Sequence, residues 1–418
     1  MASLSRRRFA RGSALLAAAP LLAGATGATG TAYAAPRTAL PHASGAGAPA
    51  AVGAGQGGVD TEAVRRALAG LVAEQHLPGA QAVITDARGR VVEVSAGAGD
   101  LATGRPYPHR ARLRIASHTK SFVATVLLQL VAAGKVELSA PVERYLPGVV
   151  RGGGNDGRRI SVHQLLQHTS GLPEFAEEFD EHTPGHHTAE RVVAESLRQP
   201  PLFPPGERWS YCNLGYLLLG MLIERVTGRP VEHEVRRRVI ARLGLAETYW
   251  PRWPEQRLRG PHAKAYQRTK DGGHREVTFI NTSVIGAAGA LISTAQELTE
   301  FYRRLLDGEL LPPAQLAQMK HTLPADIARG AAYGLGLARY PLGEGTGATG
   351  YWGHGGSVAG TRTRGGITTD GRAVLIAVNE LAPAEDASQA VVDTVERIFR
   401  HVPRGPRTSP RQEGDTPS

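Results

Sequence analysis

Ser117 and Lys120 stand three residues apart in Arg114-Ile115-Ala116-Ser117-His118-Thr119-Lys120-Ser121-Phe122. On a helix that spacing puts both side chains on one face. A serine hydroxyl is a weak nucleophile until a neighbouring base takes its proton. Lysine can serve as that base when burial and nearby positive charge lower its pKa, whereas arginine stays protonated in proteins. The distinction matters in a chain with five lysines against 43 arginines, where Ser-x-x-Lys occurs once. The plain alternative is a serine N-cap followed by a solvated lysine. Residues 122–133, apolar nearly all round, argue against solvation. A serine at the start of such a helix would also find free backbone N–H groups and the helix dipole facing a developing oxyanion.

A second cluster is Tyr211-Cys212-Asn213, after the turn Pro204-Pro205-Gly206-Glu207. Alternate residues of an extended stretch point the same way, so a phenol and an amide can share one face. The phenol can relay a proton to a leaving group and the amide can hold a substrate carbonyl. The bland reading has Asn213 capping the next helix and Tyr211 packing. A third cluster is Trp352-Gly353-His354-Gly355-Gly356-Ser357. Glycines beside a strand let a substrate backbone pair along its edge, and His354 offers a donor. Taken alone, this stretch reads as a glycine-rich turn with an incidental histidine.

The elements that must position these groups follow from periodicity. Residues 61–76 carry apolar positions at helical spacing, and residues 122–133 predict a buried central helix that Gly134 ends. Residues 81–85 and 91–95 predict a strand pair, residues 361–368 and 374–378 two more strands, and residues 386–400 a closing helix. Residues 140–280 read as mostly helical, as do residues 214–226 within them. Strands at both ends with helices between predict an α+β sheet domain plus an inserted, mostly helical domain, with a cleft between them.

Composition bounds the rest. The 418 residues are 41% hydrophobic and 21% charged, ample for a core. The net charge of +10 is scattered arginine without the basic, aromatic-laced stripe that nucleic-acid binding needs. Cys212 is the lone cysteine, so no intramolecular disulfide can form. Arg6-Arg7-Arg8 precedes a short apolar run, and Ala32-Tyr33-Ala34 resembles a cleavage site; residues 1–34 therefore read as a twin-arginine signal peptide and the mature protein as secreted. The run is broken by Pro20 and too short to span a membrane, so no membrane span is expected in the mature protein. Residues 35–57 read as an Ala/Gly/Pro linker, 58–402 as one hydrolase domain and 403–418 as a loose tail. A mild attraction to anionic cell-wall polymer is compatible with the charge.

Ser-x-x-Lys, Tyr-x-Asn and His-x-Gly in this order form the signature triplet of the penicillin-recognising serine enzymes. The chain resembles that family across about residues 60–400. The segments Leu165-Leu166-Gln167-His168-Thr169-Ser170-Gly171-Leu172-Pro173 and Tyr333-Gly334-Leu335-Gly336-Leu337 share in the resemblance. It is most similar to secreted D-alanyl-D-alanine carboxypeptidases related to class C β-lactamases. The resemblance implies a β-lactamase/transpeptidase-like α+β fold, an antiparallel sheet flanked by helices with the helical insertion. It implies that Ser117 is acylated, that Lys120 takes its proton and that Tyr211 shares in proton transfer to the leaving nitrogen. Asn213, His354, Gly356 and Ser357 would bind substrate, and the N–H groups of Ser117 and Ser357 would form an oxyanion hole. No metal or organic cofactor is implied, and the partner is a small peptide or β-lactam-like substrate.

Such carboxypeptidases often carry Thr and Arg where Gly355 and Ala338 stand here, and those groups grip the substrate carboxylate. Arg339, Arg362 and Arg364 are the available substitutes. The same residues would serve a β-lactamase, an esterase or a D-amino-acid amidase; a non-catalytic penicillin-binding module is the alternative of a different class. No G-x-S-x-G supports an α/β-hydrolase. Ser170 reads as a structural turn, and His182, His186 and His187 as a polar loop rather than zinc ligands.

Overall fold

A computed structural model describes residues 58–346, 348–381 and 385–404. The expected signal peptide, the linker and most of the tail lie outside the described residues.

The described residues pack as one unit. Helix α1 (Thr61–Glu74) starts at Asp60, whose carboxylate accepts the Ala63 N–H at 2.9 Å, and buries Val64, Leu68 and Leu71. Strands β1 (Gly79–Thr85) and β2 (Val91–Gly97) follow as a hairpin. Asp86 closes its turn by accepting the N–H groups of Arg88 and Arg90. Helix α2 (Thr119–Ala132) is buried on every side over its first ten residues, and α3 (Asn213–Thr227) packs against it. Helix α4 (Ala295–Leu306) precedes the late strands β3 (Leu323–Pro324), β4 (Ala332–Tyr333), β5 (Ala338–Pro341), β6 (Gly350–Val358), β7 (Thr361–Thr368) and β8 (Ala373–Val378). Helix α5 (Glu385–Phe399) closes the fold.

These strands make one antiparallel sheet in the order β2-β1-β8-β7-β6-β5-β4-β3, so the two ends of the chain meet at the β1–β8 pair. Both faces of β8 are buried. Val374, Ile376 and Val378 face α1 and α5, while Leu375 and Ala377 belong to the core built around α2, α3 and α4. The helical part thus shares a continuous core with one sheet face instead of forming a core of its own; the two-part division expected from sequence applies to topology, not to packing.

One expectation is corrected in detail. Residues 140–280 include two short ribbons, Arg151–Gly152 with Asn155–Asp156 and Tyr266–Arg268 with His274–Glu276, each too short to show a period of two. The glycine-rich stretch 352–357 lies in the middle of β6, the strand side that the resemblance implies, and is not the turn it would be read as alone.

Candidate active site

Every residue from 113 to 128 is buried except Ser117. A short strand (Arg112–Arg114) paired with Ile292–Thr294 delivers the chain to Ile115, whose N–H is held by the Leu291 carbonyl at 3.1 Å. Ala116 then takes φ 47°, a left-handed conformation that costs an L-residue about 1–2 kcal/mol. That bend ejects Ser117 on a single 3-10 turn (Ala116–His118) ahead of α2. Strain of this kind persists only where the surroundings over-determine it.

Lys120 is fully buried one turn below. Its Nζ lies 3.1 Å from Ser117 Oγ, 2.7 Å from Asn213 Oδ1 and 2.7 Å from the Ala288 carbonyl. Asn213 Oδ1 and the carbonyl can only accept. A neutral amine has two N–H bonds and one lone pair, so with both N–H bonds committed its lone pair must point at Ser117. Burial lowers the Lys120 pKa to about 7, with the Glu174 carboxylate pulling the other way. The residue is therefore built to alternate between base and acid at neutral pH.

Tyr211 precedes α3 on an extended segment held by Ser210 N–H to the His168 carbonyl. Its ring lies 4.4 Å from His168 and 4.9 Å from Lys120 Nζ. Burial pushes its phenol well above the usual range, and an interaction with the Ser117 hydroxyl pulls it back. The phenol keeps its proton and can donate it. Asn213 Oδ1 accepts from Lys120 Nζ, and its amide group donates to the Glu174 carboxylate, which also accepts the Asn213 backbone N–H at 2.9 Å, so that one side-chain N–H is left for a substrate carbonyl. Asn213 opens α3 as its first residue, but it does not cap it; Cys212 occupies the cap position.

Ser117, Tyr211, Asn213, His354 and Ser357 line one cavity of about 390 Å³, with Lys120 beneath its floor. Ser357 is the exposed residue of β6. Two expectations change. His354 donates nothing to the cavity, since Nδ1 is 2.6 Å from the Gly355 carbonyl and Nε2 is 2.8 Å from the Tyr333 hydroxyl. Gly356 is turned from the cavity: a β-carbon there would sit 2.4 Å from the Ile115 carbonyl, so this glycine lets β6 press against the turn that carries Ser117. Ser170 is buried in a turn, its Oγ accepting the Leu172 N–H, and does not line the cavity. Among the described residues no cluster of His, Cys, Asp or Glu could hold a metal.

Of the three arginines, only Arg364 reaches the cavity. It stands directly across the β6–β7 pair from Gly355, and a β-carbon at Gly355 would fall 1.8 Å from its Nη1. The guanidinium donates to Tyr340 Oη at 2.9 Å and Ser388 Oγ at 3.1 Å, and its Nε has no partner. No described carboxylate lies within 4 Å of it. Arg339 turns outward to Thr349, and Arg362, though buried, does not line the cavity. Ala338 is fully buried in the core under α1 and α5. Sequence reasoning assigned no role to His168, Tyr333, Phe175, Phe179 or Glu181; the last three line the cavity wall.

A sequence model of the beta-lactamase family matches residues 64–394. The chain belongs to the beta-lactamase family. It is 30% identical over 243 residues to penicillin-binding protein 4 of Amycolatopsis lactamdurans, and 34% identical over 187 residues to esterase EstB of Burkholderia gladioli. These matches cover 57% and 42% of this chain and 62% and 47% of the relatives, so the chain spans about half to three-fifths of the length of these curated relatives. Among solved structures, a D-stereospecific amidohydrolase from Streptomyces sp. is 37% identical at a TM-score of 0.71, covering 79% of this chain and 97% of that one. A D-amino acid amidase from Ochrobactrum anthropi SV3, complexed with L-phenylalanine amide, is 27% identical at a TM-score of 0.73, covering 82% and 97%. The β-lactamase/transpeptidase-like fold expected from the motifs is thus shown, and the chain is a serine hydrolase of this family.

Proposed function

We propose that this beta-lactamase-family hydrolase is an acyl-enzyme D-alanyl-D-alanine carboxypeptidase that accepts a free substrate carboxylate at Arg364. The reading of Ser117 as nucleophile rests on the lone-pair geometry of Lys120. Neutral Lys120 takes the Ser117 proton as Oγ attacks the scissile carbonyl of a substrate whose neighbouring amide is oriented by Asn213. The N–H groups of Ser117 and Ser357 receive the developing oxyanion. Tyr211 gives its proton to the departing nitrogen and is reprotonated by Lys120, so that Lys120 is neutral again and takes the proton of the water that cleaves the ester.

The observation that carries the specificity is Arg364, a buried guanidinium that opens on the cavity without a carboxylate among the described residues. A buried cation lacking a counter-charge is costly, and an anionic ligand would relieve that cost. Charge-assisted hydrogen bonds contribute about 1.5–3 kcal/mol each. The test compares kcat/KM for an N-acyl-D-alanyl-D-alanine acid with its C-terminal amide. The acid should be preferred by about tenfold or more; equal rates would refute a carboxylate receptor.

A second reading, hydrolysis of D-amino-acid amides bearing a free α-amino group, is favoured by Glu181 and Asp180 in the same wall. Burial holds the Glu181 carboxyl above its usual range, a cost that an ammonium would offset. Faster turnover of free than of N-acetylated D-alaninamide would select it. A β-lactam in the same panel tests the lactamase alternative. The twin-arginine leader supports export before action on wall peptides; among the described residues no helix is long and apolar enough to cross a membrane.

A further inference from the structure

A chain of four hydrogen bonds runs beneath the cavity. The Cys212 N–H meets His168 Nδ1 at 3.2 Å, His168 Nε2 meets the Tyr333 hydroxyl at 3.2 Å, that hydroxyl meets His354 Nε2 at 2.8 Å, and His354 Nδ1 meets the Gly355 carbonyl at 2.6 Å. All three side chains are buried. The two ends of the chain set the tautomers of both rings. A backbone N–H can only donate, so His168 Nδ1 is an acceptor and a neutral ring carries its proton on Nε2. A carbonyl can only accept, so His354 carries its proton on Nδ1 and leaves Nε2 bare. The Tyr333 hydroxyl accepts from His168 and donates to the bare His354 Nε2 2.8 Å away, with the Tyr216 hydroxyl, which gives its own proton to the Leu166 carbonyl, as a further acceptor beside it. Protonating His168 a second time would set its Nδ1–H against the Cys212 N–H, two donors face to face.

The chain also joins two walls. His168 follows the helix Val162–Gln167 and Cys212 precedes α3, both in the helical part; Tyr333 lies on β4 and His354 on β6. The His168 ring packs on Tyr211, and the His354 ring lies 6.3 Å from Tyr211. We propose that His168, Tyr333 and His354 form a proton-ordered strut that fixes the spacing of the helical and sheet walls and so holds the Tyr211 hydroxyl where a leaving group departs. They are positioning residues, and the inference rests on the reading of Tyr211 as proton donor to that group. A displacement of about 1 Å in such a donor can lower turnover about a hundredfold.

Tyr333→Phe removes the central hydroxyl and keeps the ring. The informative readout is dependence on the leaving group, since p-nitrophenolate departs without a proton whereas an amide nitrogen cannot. Turnover of the amide or peptide substrate should fall by about 10–100-fold, with KM within about threefold, while the acylation burst with p-nitrophenyl acetate stays within about threefold. Equal losses on both substrates would show a merely structural tyrosine, and no loss on either would show a dispensable one; each overturns the strut. The burst itself reports Ser117, so its disappearance in Ser117→Ala, or its survival there, judges the nucleophile separately. Should Tyr333→Phe fail to fold, neutron diffraction of the unsubstituted protein decides. Protons on His168 Nε2 and His354 Nδ1 support the strut, and any other placement refutes it.

Discussion

The floor of the cavity and its strand-side wall are built on opposite principles. On the floor the polar groups hold one another: Lys120 Nζ has three partners at hydrogen-bond distance, Asn213 Oδ1 among them. On the wall, Gly355 withholds a side chain and Arg364 fills the space with a cation that has an unpaired Nε. A mutually bonded network tolerates little change, whereas a flexible side chain opposite a glycine can be re-aimed by one substitution. Under the proposed function, acyl transfer belongs to the floor and selectivity to the wall, and one such framework would serve different substrates by changes in the wall alone.

The largest effect should come from the floor. Lys120→Arg keeps the charge but cannot deprotonate, and kcat should fall by about a thousandfold or more, nearly as far as in Lys120→Ala. Activity within tenfold of the parent would reduce Lys120 to a fixed charge. The floor should also set the pH profile. Lys120 acts as base only when neutral, and its lowered pKa places that change near 7. kcat/KM should therefore be fully expressed above pH 7 and decline about tenfold per unit below it, reaching about a hundredfold loss near pH 5. A flat profile from pH 5 to 8 would contradict the assignment.

Wall substitutions should be milder and selective. Arg364→Met should lower the acid-over-amide ratio of kcat/KM by about 10–100-fold and leave amide hydrolysis within about threefold. Gly355→Ala should move the ratio the same way, because its new methyl displaces the guanidinium. Smallest in rate but visible in stability is Gly356→Ala, whose methyl meets the fixed Ile115 carbonyl as well as the Thr363 hydroxyl. Chemical denaturation should show a loss of about 1–3 kcal/mol. If Gly356→Ala were neutral and Gly355→Ala severe, the two glycines would have exchanged roles.

Ser117, Lys120, Tyr211 and Asn213 were legible because local spacing places them, within one helical turn or one short extended segment. The sheet order was partly legible: the paired strands 79–85 and 91–97 and the late strands declare themselves by composition, whereas β3, β4 and β5, at two to four residues, are too short to do so. The Gly355–Arg364 opposition depends on register. A two-residue turn at Ala359-Gly360, joining β6 to β7, would have set that register and singled Arg364 out among the three arginines. The left-handed Ala116 and the His168–Tyr333–His354 chain carry no local mark, because each is imposed by contacts far apart in sequence.

Acylation itself tests the account most directly. The protein is mixed with p-nitrophenyl acetate, quenched in acid during the burst, digested and mapped by mass spectrometry. The geometry requires the acetyl group on the peptide carrying Ser117, and its absence from the Ser117→Ala protein. Modification at Ser170 or any other residue, or a burst that survives in Ser117→Ala, would contradict it.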